Sequence, residues 1–373
     1  MKEIGYYLFA FIFNICRIFP VSDKKIILYN GHNRGLHGNL LEMQKIFRQE
    51  EPKAHFCLFI KQDMFAGKKK TDKIKGAFRF FVIMPFHMAT AEYIFLNDNL
   101  LPLGHCKPSG KTKIVQLWHG AGAFKKFGLS TENNEAVRKQ VVRANEKLTH
   151  LFVTSQKVIP YYEEAFCVPE ERIYATGIPA TDIYTDSSSR QSGVERFYKK
   201  YPQLKGKKLL LYTPTFRKSV EENAELTQHF PIEKIHEKLG QDWVILVKLH
   251  PKYVSDTVKE CEYCYNVTEY PDISDLFFIS DLLVTDYSST IVEYVLLNKP
   301  IVLYAFDLKE YDRGFYRDYE TTVPGIVAHN EEELLKAVGQ SQEESNRRQN
   351  FLNMQYDNPD GSAARRVFDV LQK

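Results

Sequence analysis

The stretch ISDLLVTDYSSTIVEYVLLNKPIVLYAFDLKEY, Ile279 to Tyr311, reads as strand, polar turn, helix and strand. Leu282, Leu283 and Val284 form the short apolar run of a strand covered on both faces. Thr285 to Thr290 (TDYSST) gathers hydroxyls where a helix begins. Ser and Thr suit that place because their side-chain oxygens accept bonds from the first backbone N–H groups of a helix. Those N–H groups, with the positive end of the helix dipole, also suit a phosphate. Ile291 to Leu297 continues as helix, Asn298-Lys299-Pro300 stops it, and Ile301 to Tyr304 is the next buried strand. In an open α/β sheet, ligands bind outside the carboxyl ends of the strands, where the TDYSST turn falls. A capped helix with no ligand would leave the same pattern.

The same rhythm extends in both directions. Upstream in the second half, Lys208 to Tyr212 is a strand before Thr213-Pro214-Thr215-Phe216-Arg217, and Asp242 to Leu249 is a strand before His250-Pro251-Lys252. Downstream, Ile301 to Tyr304 leads to Ala305-Phe306-Asp307 and then Tyr311 to Tyr316. Helical patterns follow at Glu331 to Val338 and at Ser362 to Leu371.

The first half repeats the scheme. Strands are expected at Lys25 to Tyr29, His55 to Ile60, Glu92 to Asn97, Lys113 to Leu117, Thr149 to Ser155 and Arg172 to Gly177. The Gly-rich loop from Gly31 to Asn39 follows the first strand and is a candidate ligand loop, although it matches neither a dinucleotide fingerprint nor a Walker loop. Lys113 to Leu117 ends in Trp118-His119-Gly120-Ala121-Gly122, with Lys125 and Lys126 close behind. A histidine at a strand end, followed by small residues, reaches a ligand while the backbone approaches closely. Thr185 to Gly193 (TDSSSRQSG) reads as the linker between the halves.

Composition narrows the class. A chain of 373 residues with 44% hydrophobic and 26% charged residues is ordinary for a globular protein of two or three domains. The net charge of +3 hides an asymmetry: residues 1–150 hold 24 Lys and Arg against 12 Asp and Glu, while the remainder holds 26 against 35. The basic amino half suggests an anionic partner. Six scattered cysteines make no disulfide framework, and Cys261-Glu262-Tyr263-Cys264 is a single C-x-x-C without the second pair a zinc site needs.

Ile4 to Phe19 (IGYYLFAFIFNICRIF) is the most apolar segment, interrupted by Asn14 and Arg17 and shorter than the ~20 residues of a spanning helix. It has no small-residue cleavage site. A buried amino-terminal helix and a helix lying in a membrane interface both fit, and the second is favoured by a later tract. There Lys68, Lys69 and Lys70 precede KIKGAFRFFVIMPFHMA, in which Arg79, Phe80 and Phe81 stand among aliphatic residues. Cations at headgroup level with rings below them suit an anionic lipid surface. Nucleic acid would need aromatics along a basic groove instead.

Strands alternating with helices in two halves imply an α/β protein of two doubly wound domains facing a cleft. His119, Arg217, His250 and the Asp286 to Ser289 turn all fall at strand ends. Two histidines, cations and helix-start hydroxyls are the parts expected around a diphosphate: a cation neutralises the leaving phosphate and a histidine takes a proton from an attacking hydroxyl. No D-x-D pair, Walker loop or kinase motif is present.

QLWHGAGAFKKFG (Gln116 to Gly128), YTPTFR (Tyr212 to Arg217), VKLHP (Val247 to Pro251) and DLLVTDYSSTIVEYVLLNKPIVLYAFDLKEYDRGFY (Asp281 to Tyr316) resemble the CDP-glycerol glycerophosphotransferase family, which builds teichoic acids at the inner face of bacterial membranes. The length resembles the short priming enzymes rather than polymerases with an additional domain. The resemblance implies a GT-B-like fold: an amino-terminal membrane-associating helix (1–20), an acceptor and membrane-binding Rossmann-like domain (21–185) and a CDP-polyol donor-binding domain with a carboxyl-terminal helix (186–373). It implies transfer of glycerol phosphate from CDP-glycerol to an undecaprenyl-diphosphate-linked saccharide, with release of CMP, at the cytoplasmic face of the membrane. No further cofactor is implied, and nucleic acid is not an expected partner.

Within that scheme His119 is the expected base, with His250 at the diphosphate and Asp286 orienting a histidine or a glycerol hydroxyl. Arg217, Lys248, Ser288, Ser289, Thr290 and Glu293 are expected on the donor, and Gly31, Asn39, Gly120 and Lys125 on the acceptor side. In GIPATDIY (Gly177 to Tyr184) the family often has a basic residue after the proline, where this chain has Ala180. A polyol-phosphate polymerase, a GT-B glycosyltransferase and a non-enzymatic lipid or polyanion binder remain as alternatives.

Overall fold

Short runs of Ile, Leu and Val, buried on both faces, build two separate all-parallel sheets. The computed structural model describes residues 2–31, 34–67, 69–250, 258–341 and 345–373. The chain divides into two units, Met1–Asp182 with Gln355–Lys373, and Ile183–Met354.

In the first unit, β1 (Ser22–Asn30), β2 (His55–Ile60), β3 (Ala91–Leu96), β4 (Lys113–Gln116), β5 (His150–Val153) and β6 (Ile173–Ala175) lie in the order β2-β1-β3-β4-β5-β6. The order reverses between β1 and β3, which places a topological switch point at their carboxyl ends. In the second unit, β7 (Lys208–Thr213), β8 (Trp243–Val247), β9 (Cys264–Asn266), β10 (Leu282–Thr285), β11 (Ile301–Tyr304) and β12 (Ile326–Ala328) lie in the order β12-β11-β10-β7-β8-β9. Here the switch point falls between β7 and β10, whose last residues, Thr213 and Thr285, are register partners. The strands read from the sequence all form, within a few residues at each end; β9 and β12, three residues each, are too short to show a pattern.

Two expectations are corrected. The carboxyl-terminal segment belongs to the first unit, not to the donor domain. Its helix Ala363–Leu371 buries Val367, Phe368 and Leu371 beside the helix Gly38–Glu50, with the Phe368 and Phe47 rings 4.9 Å apart. The Asp182 carboxylate accepts the N–H groups of Ala363 and Ala364, both at 2.9 Å, and so caps that helix. The polar stretch Thr185 to Gly193 is not a linker but a helix start. Asp186 accepts from the Ser188 and Ser189 N–H groups and begins the helix Ser187–Lys200. Ser and Asp, which suit loops as well as helix starts, serve here as cap residues.

The amino-terminal helix Lys2–Cys16 has two faces. Phe9, Ala10 and Phe13 are buried, whereas Ile4, Tyr7, Leu8, Phe11 and Ile15 are exposed. Asn14 fastens it, donating to the His105 carbonyl and accepting from the Lys107 N–H. Among the described residues no helix is long and apolar enough to cross a membrane.

Candidate active site

The switch point of the first unit is a lattice of amides. The Gly31 N–H donates to Asn97 Oδ1 (3.2 Å), and the Asn97 amide donates to Asn30 Oδ1 (3.0 Å). A Cβ at Gly31 would lie 3.0 Å from the Asp98 side chain, so the close approach of this loop suits glycine. His119 is exposed after β4, and its Nδ1 lies 3.1 Å from the Asn97 carbonyl. A carbonyl can only accept, so this bond places the ring hydrogen on Nδ1 and the lone pair on Nε2, as a general base requires.

The backbone that carries His119 is held by a residue far upstream. Asn39, 6% exposed, donates to the carbonyls of Leu117 (3.3 Å) and Trp118 (3.0 Å) and accepts from the Ala180 N–H (2.7 Å). Trp118 has a φ of 58°, a left-handed conformation that a large side chain adopts only under tertiary restraint. Asn39 thus fixes the histidine turn. Ala180, where the family pattern often has a basic residue, meets Asn39 through its backbone. The Gly120 carbonyl accepts from the Tyr162 hydroxyl, and Lys125 is half-buried on the same loop.

Of the membrane-tract residues, Lys68 lies outside the described residues, and Lys69 and Lys70 are exposed. Arg79 donates to the Leu58 carbonyl (3.1 Å) and covers the Phe59 ring. Phe80 and Phe81 are half-buried and turn inward: Phe80 packs on Phe9 and Phe65, and Phe81 lies over Gly5. Ile74, Phe78, Ile83 and Phe86 are the exposed apolar residues of the tract. A π-turn at Arg79–Ile83 between the helices Lys70–Phe78 and Met84–Ala89 shifts the helical register there.

In the second unit the expected donor residues fall into two groups. Ser288 and Thr290 are half-buried and Ser289 is exposed at the start of the helix Thr290–Tyr294, and Ser289 makes no side-chain cap bond. The hydroxyl oxygens of Thr290, Thr213 and Thr215 are buried and have no hydrogen-bond partner. Thr213 ends β7, Thr215 follows it, and Thr290 opens the helix after β10, so all three follow the two strands of the switch point. Glu293 lies one turn further along, where burial pushes its carboxyl up to about 7 against the opposing bond from the Tyr184 hydroxyl (3.4 Å). His250 is exposed after β8, its ring 4.8 Å from that of Phe216; residues 251–257, with Pro251 and Lys252, lie outside the described residues.

Arg217, Asp286 and Lys248 are engaged by the protein itself. Arg217 Nε and Nη2 donate to the two oxygens of Asp307 (2.6 and 2.9 Å), and Nη2 also donates to Asp286 Oδ2 (2.9 Å). Burial opposes the charge on Arg217, but its bonds to Asp307 and the charge of Asp286 more than offset this and keep it protonated. Asp286, 2% exposed, accepts from the Thr215 N–H at its other oxygen (2.8 Å). The Lys248 ammonium donates to the carbonyls of Thr268 (3.1 Å) and Tyr270 (2.7 Å). Sequence reasoning missed Asp307, Tyr287, Thr213 and Thr215. A polar pair at a strand end signalled the threonines, but nothing local marked Asp307. Among the described residues no group of three or more His, Cys, Asp or Glu is arranged to hold a metal ion.

The chain is 28% identical to a teichoic acid poly(ribitol-phosphate) polymerase of Bacillus spizizenii, covering 100% of this chain and 60% of that protein. It is 29% identical to a teichoic acid ribitol-phosphate primase of the same organism, over 95% of this chain and 92% of that one. A structure of the wall teichoic acid polymerase TagF soaked with CDPG shares the fold, with a TM-score of 0.74 and 19% identity over 99% of this chain and 93% of the other. Residues 11–373 match the family described as CDP-glycerol:poly(glycerophosphate) glycerophosphotransferase, and the chain belongs to that family.

Proposed function

We propose that this chain transfers glycerol phosphate from CDP-glycerol to a hydroxyl of a membrane lipid-linked acceptor, the priming step of teichoic acid synthesis. The observation that carries the reading is the set of three buried hydroxyls without partners, Thr213, Thr215 and Thr290, at the switch point of the second sheet. A buried hydroxyl left unpaired is unfavourable, and a donor phosphate bound at this turn would bring acceptor oxygens to the place where the three gather. Ser288 and Ser289 flank the same place. Glu293 takes the ribose or cytosine end, and His250 meets the diphosphate.

In the reaction the acceptor oxygen attacks the glycerol-bearing phosphorus. The new O–P bond forms as the bond to the CMP oxygen breaks, and CMP leaves with the electron pair. His119 Nε2 takes the acceptor proton, held in the required tautomer by the Asn97 carbonyl. The exposed apolar residues of the helix Lys2–Cys16 and of the 70–89 tract, with Lys69, Lys70 and Arg79, support docking on anionic lipid at the cytoplasmic face of the membrane.

A second reading, ribitol phosphate in place of glycerol phosphate, is favoured by the match to a ribitol-phosphate primase over 92% of that protein. CMP release from CDP-glycerol and CDP-ribitol, with a soluble lipid-disaccharide analogue and product masses recorded, tests both. One added glycerol phosphate supports the priming reading, and a ladder makes the chain a polymerase. Release with CDP-ribitol alone moves the assignment to the second reading, and no release with either donor overturns both.

A further inference from the structure

Arg217 and Asp307 come from the loops after β7 and β11, the two strands that flank β10. Their paired bonds therefore pass over the carboxyl end of β10, where the Thr285 to Thr290 turn begins. Arg217 reaches down from this bridge to Asp286 Oδ2 (2.9 Å), and the Thr215 N–H holds Asp286 Oδ1 (2.8 Å). The Asp286 backbone is held as well: its carbonyl accepts from the Tyr319 hydroxyl (3.1 Å). Tyr287, the next residue, donates its hydroxyl to Asp307 Oδ1 (2.9 Å). The Tyr287 ring lies 5.2 Å from the Arg217 guanidinium carbon and stacks on Tyr311 at 4.0 Å. Every oxygen of the two carboxylates thus has a donor from the protein.

We propose that Arg217 and Asp307 form a brace that positions the turn after β10, with Asp286 and Tyr287 as its lower members, and that none of the four touches the substrate. The proposal rests on the reading above that donor phosphates sit at this turn. Asp286 is then a positioning residue and not a group that orients a histidine or binds a polyol hydroxyl, since it is 2% exposed and each of its oxygens is held by a donor of the protein. Arg217 likewise has its Nε and Nη2 turned to carboxylates. What the brace supplies is preorganisation. Donors aimed at a phosphate act at full strength only when the backbone need not move on binding. Misplacement of such groups by about 1 Å is worth on the order of a hundredfold in rate.

The test separates a brace from direct contact by the sign of one effect. If Arg217 contacted the diphosphate, Asp307→Asn would release it and leave CDP binding unchanged or tighter. A brace requires the opposite. Calorimetric titration of CDP into the full chain should show binding about tenfold weaker for Asp307→Asn, with a similar loss for Arg217→Lys. The double variant should be no worse than either single one, because the two residues act as one unit. Tyr287→Phe keeps the ring stack and loses one bond, so a loss of two- to fivefold is expected even if the other variants fold poorly. Hydrogen exchange of the peptide spanning residues 283–292 should accelerate at least tenfold in Asp307→Asn without ligand. Unchanged or tighter CDP binding in Asp307→Asn, or unchanged exchange, overturns the brace. Faster exchange in a protein whose wild type binds no CDP upholds the brace and removes the donor assignment instead.

Discussion

Replacing Glu293 by Gln should make the stability of the second unit less dependent on pH. The carboxyl is held near 7 by burial, against 4.5 in an unfolded chain, with the Tyr184 hydroxyl as its hydrogen-bond partner and the charge of Asp272 adding to the rise. A group whose value is raised on folding favours the fold fully below its unfolded value, and that contribution is lost as the pH rises through the folded one. The window is therefore pH 4.5 to 7. At 1.36 kcal/mol per pH unit, the gap corresponds to about 3 kcal/mol, of which roughly 2–3 kcal/mol falls between pH 5 and pH 8. Gln keeps a partner for Tyr184 and carries no proton to lose. Urea unfolding of the full chain, followed by tryptophan fluorescence in a Trp118→Phe background, reports on this unit because Trp243 is then the remaining tryptophan. The variant should gain about 2–3 kcal/mol on wild type from pH 5 to pH 8. A difference that stays flat across that range would refute the reasoning, since it would mean that Glu293 ionises alike in both states.

His119→Gln should lower CMP release by about 10²–10⁴-fold with the thermal transition unchanged, because the ring is exposed and its removal takes away a base and not a core contact; near-normal turnover would remove it from the mechanism. Lys299, whose ammonium binds the carbonyls of Phe277, Phe278 and Ser280, is lowered to about 8 by burial, with Arg190 adding to the effect. Its folded value lies below the unfolded 10.5, so the unfolded chain binds more protons between pH 8 and 10.5, and stability from this group rises with pH across that window. Lys299→Met should abolish that rise in urea titrations at pH 8 and pH 10, and should destabilise the protein at pH 7 by about 1–3 kcal/mol. Phe11→Asp and Ile15→Asp, on the exposed face of the helix Lys2–Cys16, should reduce co-sedimentation with anionic liposomes while leaving the fold intact. Phe13→Asp, on the buried face, should lower the melting temperature instead.

How far the site could be read in advance differs residue by residue. His119, His250, Ser288 and Thr290 stand where the strand pattern put them, because a residue just after a buried apolar run must fall at a strand's carboxyl end. The same logic failed for Lys248, where the strand end was right but the ammonium turns to two backbone carbonyls after β9. Asn39 was expected at the acceptor and instead holds the turn that carries His119, by bonds to residues 78 and 79 positions away. The linker reading failed for a local reason, since Asp and Ser serve equally in loops and at helix caps.

The sequence by itself determined the two α/β halves, ten of the twelve described strands, and the residue types collected at their ends. Those follow from the period of apolar residues and from local backbone chemistry, which act over a few residues. Tertiary structure alone decided the strand order, and with it the two switch points. It brought Asp307 to Arg217 across 90 positions of chain and left the hydroxyls of Thr213, Thr215 and Thr290 buried without partners after β7 and β10. It also sent the carboxyl-terminal helix back to the first unit. Hydrogen bonds between distant residues depend on which loops the sheet order makes neighbours, and no short-range pattern records that order.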